Sequence, residues 1–419
     1  MATRIHHGFI RSVLMAAGIA ACAITGTGVG NAADPSPLLQ QGQPVDWWFV
    51  FKFNARTFPG CRAPATRSCP FGGQPQDYPK AEGFGQQYVF ASSANPTLQE
   101  GGGCAGDTTT DPVGATFGQV YNGAFHYLIW NDQFYKDPKI TGCSQECGSP
   151  WGHSKGMLAW NDSGEGFVLQ VSTPSWPASG SSKHRRKTDG NTLGCIKDDD
   201  VEVSQHFFAL KITKNDLVII LKALANASVV TDPSNPQLVN NGGPADVRQL
   251  VSALGDESKS QVALTEPLSS GVTLISKPSA RHVPPWQMVS AILGGVSLRT
   301  ATWWTRPAIP TTTAATPIAC WDDPSRPGAV EIALTGSWNG QAIGLTGGAS
   351  PNHNHAKLGV STSGAAPYAV FGDMNQQGSL SGPHCASSQN GRGGLFYALP
   401  NQALHDGVRD LISGETAPQ

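Results

Sequence analysis

Two short segments of the chain repeat the pattern His-x-Lys, about two hundred residues apart. The first is His153-Ser154-Lys155 and the second is His355-Ala356-Lys357. Each precedes an apolar run that predicts a β-strand, and alternation along a strand directs His and Lys to the same side. Cleavage of a phosphodiester needs a nucleophile, a proton donor and positive charge around the phosphate oxygens. The repeat therefore predicts one site to which each half of the chain contributes one imidazole and one ammonium group.

Metal binding is the main alternative for these residue types. His353-x-His355 has the spacing of a metal pair, but no cluster of carboxylates accompanies it. Cys143-x3-Cys147 has a loose version of a zinc spacing. Because the two lysines supply the positive charge that a divalent ion would otherwise provide, the favoured interpretation requires no metal and no other cofactor.

The strands and helices that must position these groups indicate a mixed α/β (α+β) fold. The apolar patterns predict strands at 45–53, 87–90, 125–130, 157–160, 167–171, 206–212, 331–334, 357–360 and 368–371. Helices are predicted at 214–227, 245–254 and 401–413. The segment 54–115 is rich in Gly, Pro and Gln and predicts loops around the strand at 87–90. A His-x-Lys pair before a hairpin in each half suggests a duplicated unit.

Composition and the first residues of the chain indicate an exported globular protein. With 49 Gly, 31 Pro and only 14% charged residues among 419, a disordered or coiled-coil chain is excluded. Residues 1–33 have the basic start, apolar run and small-residue end of a signal peptide. We therefore predict a secreted or periplasmic protein, and a lipoprotein anchored at Cys22 is the alternative. Eight cysteines follow residue 33, an even number that predicts disulfide bonds of undetermined pairing.

The charge balance limits how the chain can hold a polyanion. Without residues 1–33 it has 26 Lys and Arg against 30 Asp and Glu, so it is mildly acidic. DNA binding would need a local positive cleft or a pH that charges the histidines. The candidate DNA contacts are Lys52, Lys183, Arg185, Arg186 and Lys187. Tryptophans 286, 303 and 304 are candidates for stacking on bases or for core packing.

Longer motifs around both pairs resemble the deoxyribonuclease II family. Residues 152–158 with 166–174 are similar to its first signature, GHTKG followed by GGFWLVHS. Residues 354–357, 372–375 and 392–394 are similar to its second, DHSKW followed by GDMN and RGGG. Asn131-Asp132-Gln133 matches the family's YNDQ segment. These matches occur in the family's order between residues 45 and 396.

This resemblance implies a fold of the phospholipase D type, a pseudo-twofold repeat of two mixed-sheet lobes with flanking helices. The lobes would span 34–250 and 251–419, pack closely, and hold the active site between them. It also implies a metal-independent endonuclease that forms a phosphohistidine and leaves 3′-phosphate and 5′-hydroxyl ends on DNA. His153, Lys155, His355 and Lys357 match the catalytic motif positions, and Asp373 and Asn375 match the element beside them.

Four departures from the related motifs bear on the chemistry. The phospholipase D pattern has Asp five residues after each motif Lys, where this chain has Trp160 and Thr362. Animal deoxyribonucleases II commonly have His at the position of Val171 and Trp at that of Leu358. The imidazoles must therefore be oriented by other groups. Two other functions remain as alternatives: a phosphodiesterase that acts on lipid or another phosphodiester, and a non-catalytic exported binding protein.

Overall fold

The computed structural model describes residues 34–58, 71, 86–140, 142–143, 146–187, 191, 193, 202–321 and 323–419. The predicted signal peptide and Cys22 lie outside these residues, as do Cys61, Cys69 and Cys195. Residues 34–419 form one compact unit. Within the described ranges, no helix has both the length and the apolar character needed to cross a bilayer.

The first half of the chain builds an eight-stranded sheet. Its strands are β1 (Trp47–Lys52), β2 (Tyr88–Ser92), β3 (Gln99–Glu100), β4 (His126–Asn131), β5 (Lys155–Trp160), β6 (Gly166–Val171), β7 (Gln205–Ile212) and β8 (Val239–Asn240). They lie in the order β3-β2-β1-β7-β6-β5-β4-β8, and every pair is antiparallel. Strands β1, β5 and β6 are buried at every residue. Burial on both faces explains why their sequences are continuous apolar runs instead of alternating ones.

The second half builds a seven-stranded sheet and a separate hairpin. The sheet contains β9 (Leu264–Pro267), β10 (Thr273–Lys277), β11 (Leu298–Ala301), β12 (Val330–Ile332), β15 (Leu358–Ser361), β16 (Tyr368–Gly372) and β17 (Gly394–Pro400). The hairpin pairs β13 (Thr335–Trp338) with β14 (Gln341–Gly344). The sheet order is β12-β11-β15-β16-β17-β10-β9, antiparallel except between β11 and β12.

Five strands of one sheet correspond to five of the other. The spatial order β1-β7-β6-β5-β4 matches β10-β17-β16-β15-β11, and the two sets also follow the same order along the chain. One His-x-Lys pair precedes or begins β5, and the other precedes β15. The predicted mixed α/β fold with two related sheets is confirmed.

Aromatic side chains join the two sheets face to face. The ring of Phe371 on β16 stacks on Phe49 of β1 and Phe208 of β7, with centroids 4.7 and 4.5 Å apart. Phe208 also contacts Tyr397 of β17 at 5.8 Å. All four side chains are buried, and burial of one such ring contributes about 1.5–3 kcal/mol. This shared core fixes the sheets against each other and therefore fixes the ends of β5 and β15.

Five α-helices flank the sheets among the described residues. They are α1 (Pro112–Tyr121), α2 (Lys214–Asn226), α3 (Ala245–Ser252), α4 (Pro285–Ile292) and α5 (Gln402–Leu411). Helix α2 begins with a reciprocal capping box between Thr213 and Asp216, and Asn401 caps α5 by accepting from Leu404 N at 3.0 Å. The predicted helices at 214–227, 245–254 and 401–413 are confirmed.

Helix α1 was not predicted, and its first four residues, 112–115, correct the end of the loop prediction over 54–115. Its N-cap Asp111 accepts hydrogen bonds from Gly114 N and Gly106 N, both at 2.9 Å. Pro112 occupies the first turn, where its missing N–H costs nothing. Glycines 114 and 118 lower the helix propensity, so the segment resembles a loop in sequence. Tertiary packing overrides this propensity because nearly all of α1 is buried.

Two disulfide bonds have both partners in the described residues, Cys143–Cys147 and Cys320–Cys385. Cys104 is also disulfide-bonded. The zinc alternative for Cys143 and Cys147 is therefore wrong, since their sulfurs are joined to each other. Disulfides are typical of proteins in oxidising compartments.

Candidate active site

His153 lies immediately before β5, where both its backbone and its ring bind the second half of the chain. Its backbone N–H donates to Gly393 O at 2.8 Å. Its ring Nδ1 lies 2.7 Å from the main-chain oxygen of Asp373. Because a carbonyl oxygen only accepts, Nδ1 carries the proton, and the lone pair of the neutral ring lies on Nε2. This contact fixes the tautomer that can attack through Nε2.

His355 lies before β15, and its backbone, though not its ring, is held by the first half of the chain. Its backbone N–H donates to Ser204 O at 2.8 Å. Its imidazole has a hydrogen bond with the backbone of Gly348. Lys357, two residues later, donates from Nζ to His355 O at 2.6 Å and from its backbone N to His206 Nδ1 at 3.1 Å. The backbone of each histidine is therefore fixed by a carbonyl in the segment that precedes a strand of the other sheet. That strand is β17 for His153 and β7 for His355.

Two buried lysines reinforce these contacts between the two halves of the chain. Lys52 ends β1 and donates from Nζ to Val203 O at 2.6 Å, beside Ser204. Lys277 ends β10 and donates to Arg392 O at 2.8 Å, beside Gly393. Both side chains are 0% exposed. They occupy equivalent places in the two halves, so their role here is to hold the carbonyl segments that bind the histidines.

The burial of Lys52 corrects its assignment as a DNA contact. A fully buried ammonium group that donates to backbone carbonyls offers no surface to a polyanion. Sequence reasoning placed Lys52 correctly at the end of a strand. It missed Lys277, whose position at the end of the equivalent strand was the available signal.

The two histidines line a single cavity of about 440 Å³. Lys357, Arg392, Asn375 and Trp303 also contribute to its wall. Lys155 lies behind this wall, where its Nζ is 2.5 Å from Asp132 Oδ1. The charge of Lys155 nevertheless acts on His355, and that of Lys357 acts on His153. The structure therefore brings the four residues of the two pairs together.

Burial is the main cause that lowers the pKa of both histidines well below the usual value. Lys155 lowers the pKa of His153 further, while the carboxylate of Asp132 opposes it. Lys357 and then Lys155 lower the pKa of His355. Both imidazoles are therefore neutral at pH 7 in the unliganded site. A neutral imidazole is a competent nucleophile, whereas a proton donor requires protonation of one ring.

Asp132 and Arg392 are functional candidates that the residue-level reasoning missed. Asp132 is almost completely buried at the end of β4 and accepts from Lys155 Nζ and from Arg392 at 2.8 Å. Burial alone would raise the pKa of this carboxyl, but Lys155 and Arg392 outweigh burial and lower it well below its usual range. Arg392 also donates to the carbonyls of Cys147 and Gly152. The available signal was the resemblance of 131–133 and 392–394 to family motifs.

Asp373 and Asn375 lie beside the histidines, in the segment after β16. The side chain of Asp373 accepts from Ser154 Oγ at 2.6 Å and from Leu395 N at 2.9 Å. Burial raises its pKa to about 6 despite these hydrogen bonds. Asn375 lines the cavity and donates from Nδ2 to Gln377 Oε1 at 3.0 Å.

Main-chain oxygens take the place of the aspartates that the sequence lacks. Trp160, at one of these positions, is buried and donates from Nε1 to Gly242 O at 3.0 Å. Thr362, at the other, is exposed. The Asp373 carbonyl orients His153, and the Gly348 backbone contacts His355. Backbone groups thus orient the two imidazoles.

The basic segment 183–187 divides into exposed and buried residues. Lys183, Arg185 and Lys187 are exposed. Arg186 is 3% exposed and donates to Ser175 O at 2.7 Å and Phe134 O at 3.2 Å. The assignment of Arg186 as a DNA contact is therefore corrected: its guanidinium group binds backbone carbonyls inside the protein.

The three candidate tryptophans have different environments. Trp286 is fully buried on α4, where it packs against Phe396 and donates to Met374 O. Trp304 is half-buried and donates to Ile309 O. Trp303 lines the cavity with its ring centroid 4.3 Å from that of His355. Core packing is thus the role of Trp286, and Trp303 belongs to the site.

The metal alternative at His353 and His355 lacks a third ligand in the part of the chain that the structure describes. No group of three or more His, Cys, Asp and Glu side chains there is arranged to hold an ion. His353 accepts from Ser350 N through Nδ1 at 3.1 Å and is not among the residues that line the cavity.

Comparison with known proteins finds a matching family model and several similar proteins. The family model described as Deoxyribonuclease II matches residues 36–416. The chain is 26% identical over 246 residues to deoxyribonuclease-2-alpha of Sus scrofa, covering 57% of this chain and 55% of that protein. It is 29% identical over 163 residues to deoxyribonuclease-2-alpha of Mus musculus, covering 37% and 38%. It is 27% identical over 198 residues to plancitoxin-1 of Acanthaster planci, covering 44% and 47%. The matches span about half or less of these relatives' lengths.

Proposed function

The chain belongs to the deoxyribonuclease II family, since the family model spans nearly all of it, and on this premise we propose that it is an endonuclease that hydrolyses DNA phosphodiesters. The observation that supports the proposal most directly is the single cavity shared by His153 and His355. The names of the similar proteins of Sus scrofa and Mus musculus point to the same substrate. Disulfides and the apolar N-terminal segment support export as part of this proposal.

We propose a two-step reaction through a phosphohistidine. In the first step, Nε2 of one histidine forms a bond to phosphorus while the bond from phosphorus to O5′ breaks, and the other histidine, as imidazolium, gives its proton to O5′. In the second step, water attacks phosphorus, the N–P bond breaks, and the second histidine takes a proton from that water. The products are a 3′-phosphate and a 5′-hydroxyl.

The cations of the site support this assignment through electrostatics. Lys357 and Arg392 line the cavity, and Lys155 lies directly behind it. Fixed positive charges at a buried site stabilise the charge that develops on the non-bridging phosphate oxygens. Because Asp132 neutralises part of the charge of Lys155 and Arg392, Lys357 is the cation best placed to balance the phosphate. No reaction step in this scheme requires a metal ion.

A plasmid-nicking assay in excess EDTA tests the proposal. We expect supercoiled DNA to be nicked in EDTA, and the new ends to resist polymerase extension until a phosphatase removes the 3′-phosphate. The 5′ ends should accept phosphate from a polynucleotide kinase without prior dephosphorylation. EDTA-sensitive cleavage, or 5′-phosphate ends, would refute the proposed chemistry. Release of choline from lipid without DNA nicking would support the lipid phosphodiesterase instead.

The lowered histidine pKa values predict faster cleavage in acid. Since both rings are neutral at pH 7 and one must donate a proton, the active fraction should grow as the pH falls through the mid-acid range. Above the histidine pKa, the protonated fraction falls about tenfold for each pH unit. We expect kcat/KM to be higher at pH 5 than at pH 7.5. A rate that is constant from pH 5 to 8 would contradict a histidine proton donor.

The exposed basic residues predict a salt-dependent contribution to DNA affinity. Replacement of Lys183, Arg185 and Lys187 by Gln should weaken DNA binding and lower the slope of log K against log salt by up to about 0.9 for each lost phosphate contact. Turnover at saturating DNA should be unchanged. Lys259, exposed in a different segment, provides a control when replaced by Gln. An unaltered salt slope in the triple variant would show that this segment does not contact DNA.

A further inference from the structure

Trp303 presents a fixed aromatic ring beside the imidazole of His355. Its Nε1 donates to Thr305 Oγ1 at 3.0 Å, and its ring lies at 60° to the ring of His355. The ring also rests directly on Gly347, since a Cβ at that position would lie 2.6 Å from Trp303 Cγ. Absence of a side chain at residue 347 is therefore necessary for the ring position. The indole is half-buried and forms part of the cavity wall.

Neutral amide side chains form the wall near this indole. Gln377 donates from Nε2 to Thr305 Oγ1 at 2.8 Å and to Thr305 O at 3.2 Å. Its Oε1 must therefore face Asn375, which donates to it from Nδ2. This chain of hydrogen bonds directs Nδ2 of Asn375 toward Gln377, so Oδ1 is the side-chain atom of Asn375 that is left to accept another hydrogen bond. That oxygen is buried and has no donor among the described residues.

A buried acceptor without a donor is costly, and a ligand N–H would remove the cost. Together with a flat aromatic surface, such an acceptor suits a nucleobase, which has two π faces and N–H groups at its edge. Neither feature is needed to bind the phosphate itself. Trp303 and Asn375 line the same cavity as the two histidines.

We infer that the cavity contains a nucleobase subsite, in which Trp303 stacks on one face of a base next to the scissile phosphate and Asn375 accepts from its edge. This inference rests on the proposed endonuclease function. A base in a regular duplex is stacked between its two neighbours. Trp303 can therefore stack on it only if the base separates from one of those neighbours. Stacking on the indole also supplies affinity that the mildly acidic chain does not obtain from its net charge.

A double-mutant cycle between protein and substrate tests the subsite. The substrates are a single-stranded oligodeoxynucleotide with one cleavable linkage and the same strand with an abasic tetrahydrofuran residue on either side of that linkage. The proteins are the wild type, Trp303→Ala and Trp303→Phe. Single-stranded DNA is used because its bases need not be unstacked from a duplex.

We expect Trp303→Ala to lower kcat/KM on the intact strand by about 5- to 100-fold, in line with the usual strength of base–aromatic stacking. Trp303→Phe should lose only a few-fold because it retains an aromatic face. The abasic change should cost the wild type a similar factor on one side of the linkage, and should cost Trp303→Ala nothing further. If the wild type and Trp303→Ala have the same kcat/KM on that abasic strand, the substitution has left the catalytic groups in place.

If the Trp303 substitution and the abasic change lowered kcat/KM independently, so that their two factors multiplied, the proposed subsite would be refuted. An equal loss by both Trp303 variants on intact and abasic strands would also overturn it, since that pattern indicates a role in supporting His355. Failure of the wild type to cleave any DNA would instead refute the proposed function. The two failures are therefore distinguishable.

Discussion

Replacement of either His153 or His355 by Ala should lower the rate of DNA cleavage by on the order of 10³-fold or more, because in the proposed mechanism each imidazole performs a separate part of the same displacement. Loss of both should cost little more than loss of one, since groups that act as a unit are strongly non-additive. The measurement is plasmid nicking at acidic pH in EDTA, followed over several hours for the variants.

His353→Ala is the matched control for this experiment. His353 lies two residues from His355 and is half-buried, but it is not among the residues that line the cavity. Its replacement should leave the nicking rate within about twofold of the wild type, as is usual for changes away from the reacting groups. Substantial cleavage by either active-site variant would refute the assignment of the site.

A substrate with a better leaving group separates the two histidine roles. Thymidine 3′-(p-nitrophenyl phosphate) expels a phenolate that needs no proton donor. The variant that lacks the acid should therefore still form the N–P bond, and intact-protein mass spectrometry should detect a thymidine phosphate adduct that hydrolyses slowly. The variant that lacks the nucleophile should form no adduct. An adduct on both variants, or on neither, would contradict the division of roles.

Replacement of Asp132 by Asn should destabilise the protein strongly and also reduce activity. Asp132 is almost completely buried and neutralises both Lys155 and Arg392. An amide carries no charge, so two cations would be left without a counterion at a buried site. Removal of one partner from such a buried set of charges lowers the free energy of unfolding by about 3–5 kcal/mol. The whole free energy of unfolding of a protein is usually about 5–15 kcal/mol. Urea unfolding at pH 7, with the disulfides intact, measures the change.

The control for this prediction is Asp246→Asn. Asp246 forms an exposed ion pair with Lys214 at 2.7 Å, and solvent screens such pairs. We expect no measurable change in the unfolding midpoint. An equally small effect of Asp132→Asn would mean that Lys155 and Arg392 find other counterions or water, and that Asp132 does not organise the site.

Activity of Asp132→Asn should fall for a related reason. The carboxylate raises the pKa of His153, whereas Lys155 lowers it. Its loss would therefore lower the pKa of His153 and shift the limb of the activity profile that His153 controls to lower pH. The pH profile, normalised to the folded fraction measured at each pH, distinguishes this effect from simple unfolding, which reduces the number of active molecules without moving the profile.

The sequence alone predicts the candidate reactive groups because the His-x-Lys pattern is local. A strand alternates its side chains, so the spacing of His153 and Lys155 before an apolar run predicts from the sequence alone that both are directed to one side. The same reasoning applies to His355 and Lys357. Strands with unbroken apolar runs, such as β1, are also predictable since burial on both faces leaves a continuous pattern.

Only the tertiary structure decides which charges are neutralised and which side chains are accessible. Lys52 and Arg186 are basic residues of the kind that contacts DNA, yet both are buried and donate to backbone carbonyls inside the protein. The pairing of Asp132 with Arg392 and the contact of His153 with Asp373 join residues more than two hundred positions apart. Such contacts depend on how two sheets pack, which no local pattern encodes. The sequence thus determined the chemistry that is available, and the packing of the two halves determined the electrostatic environment in which it operates.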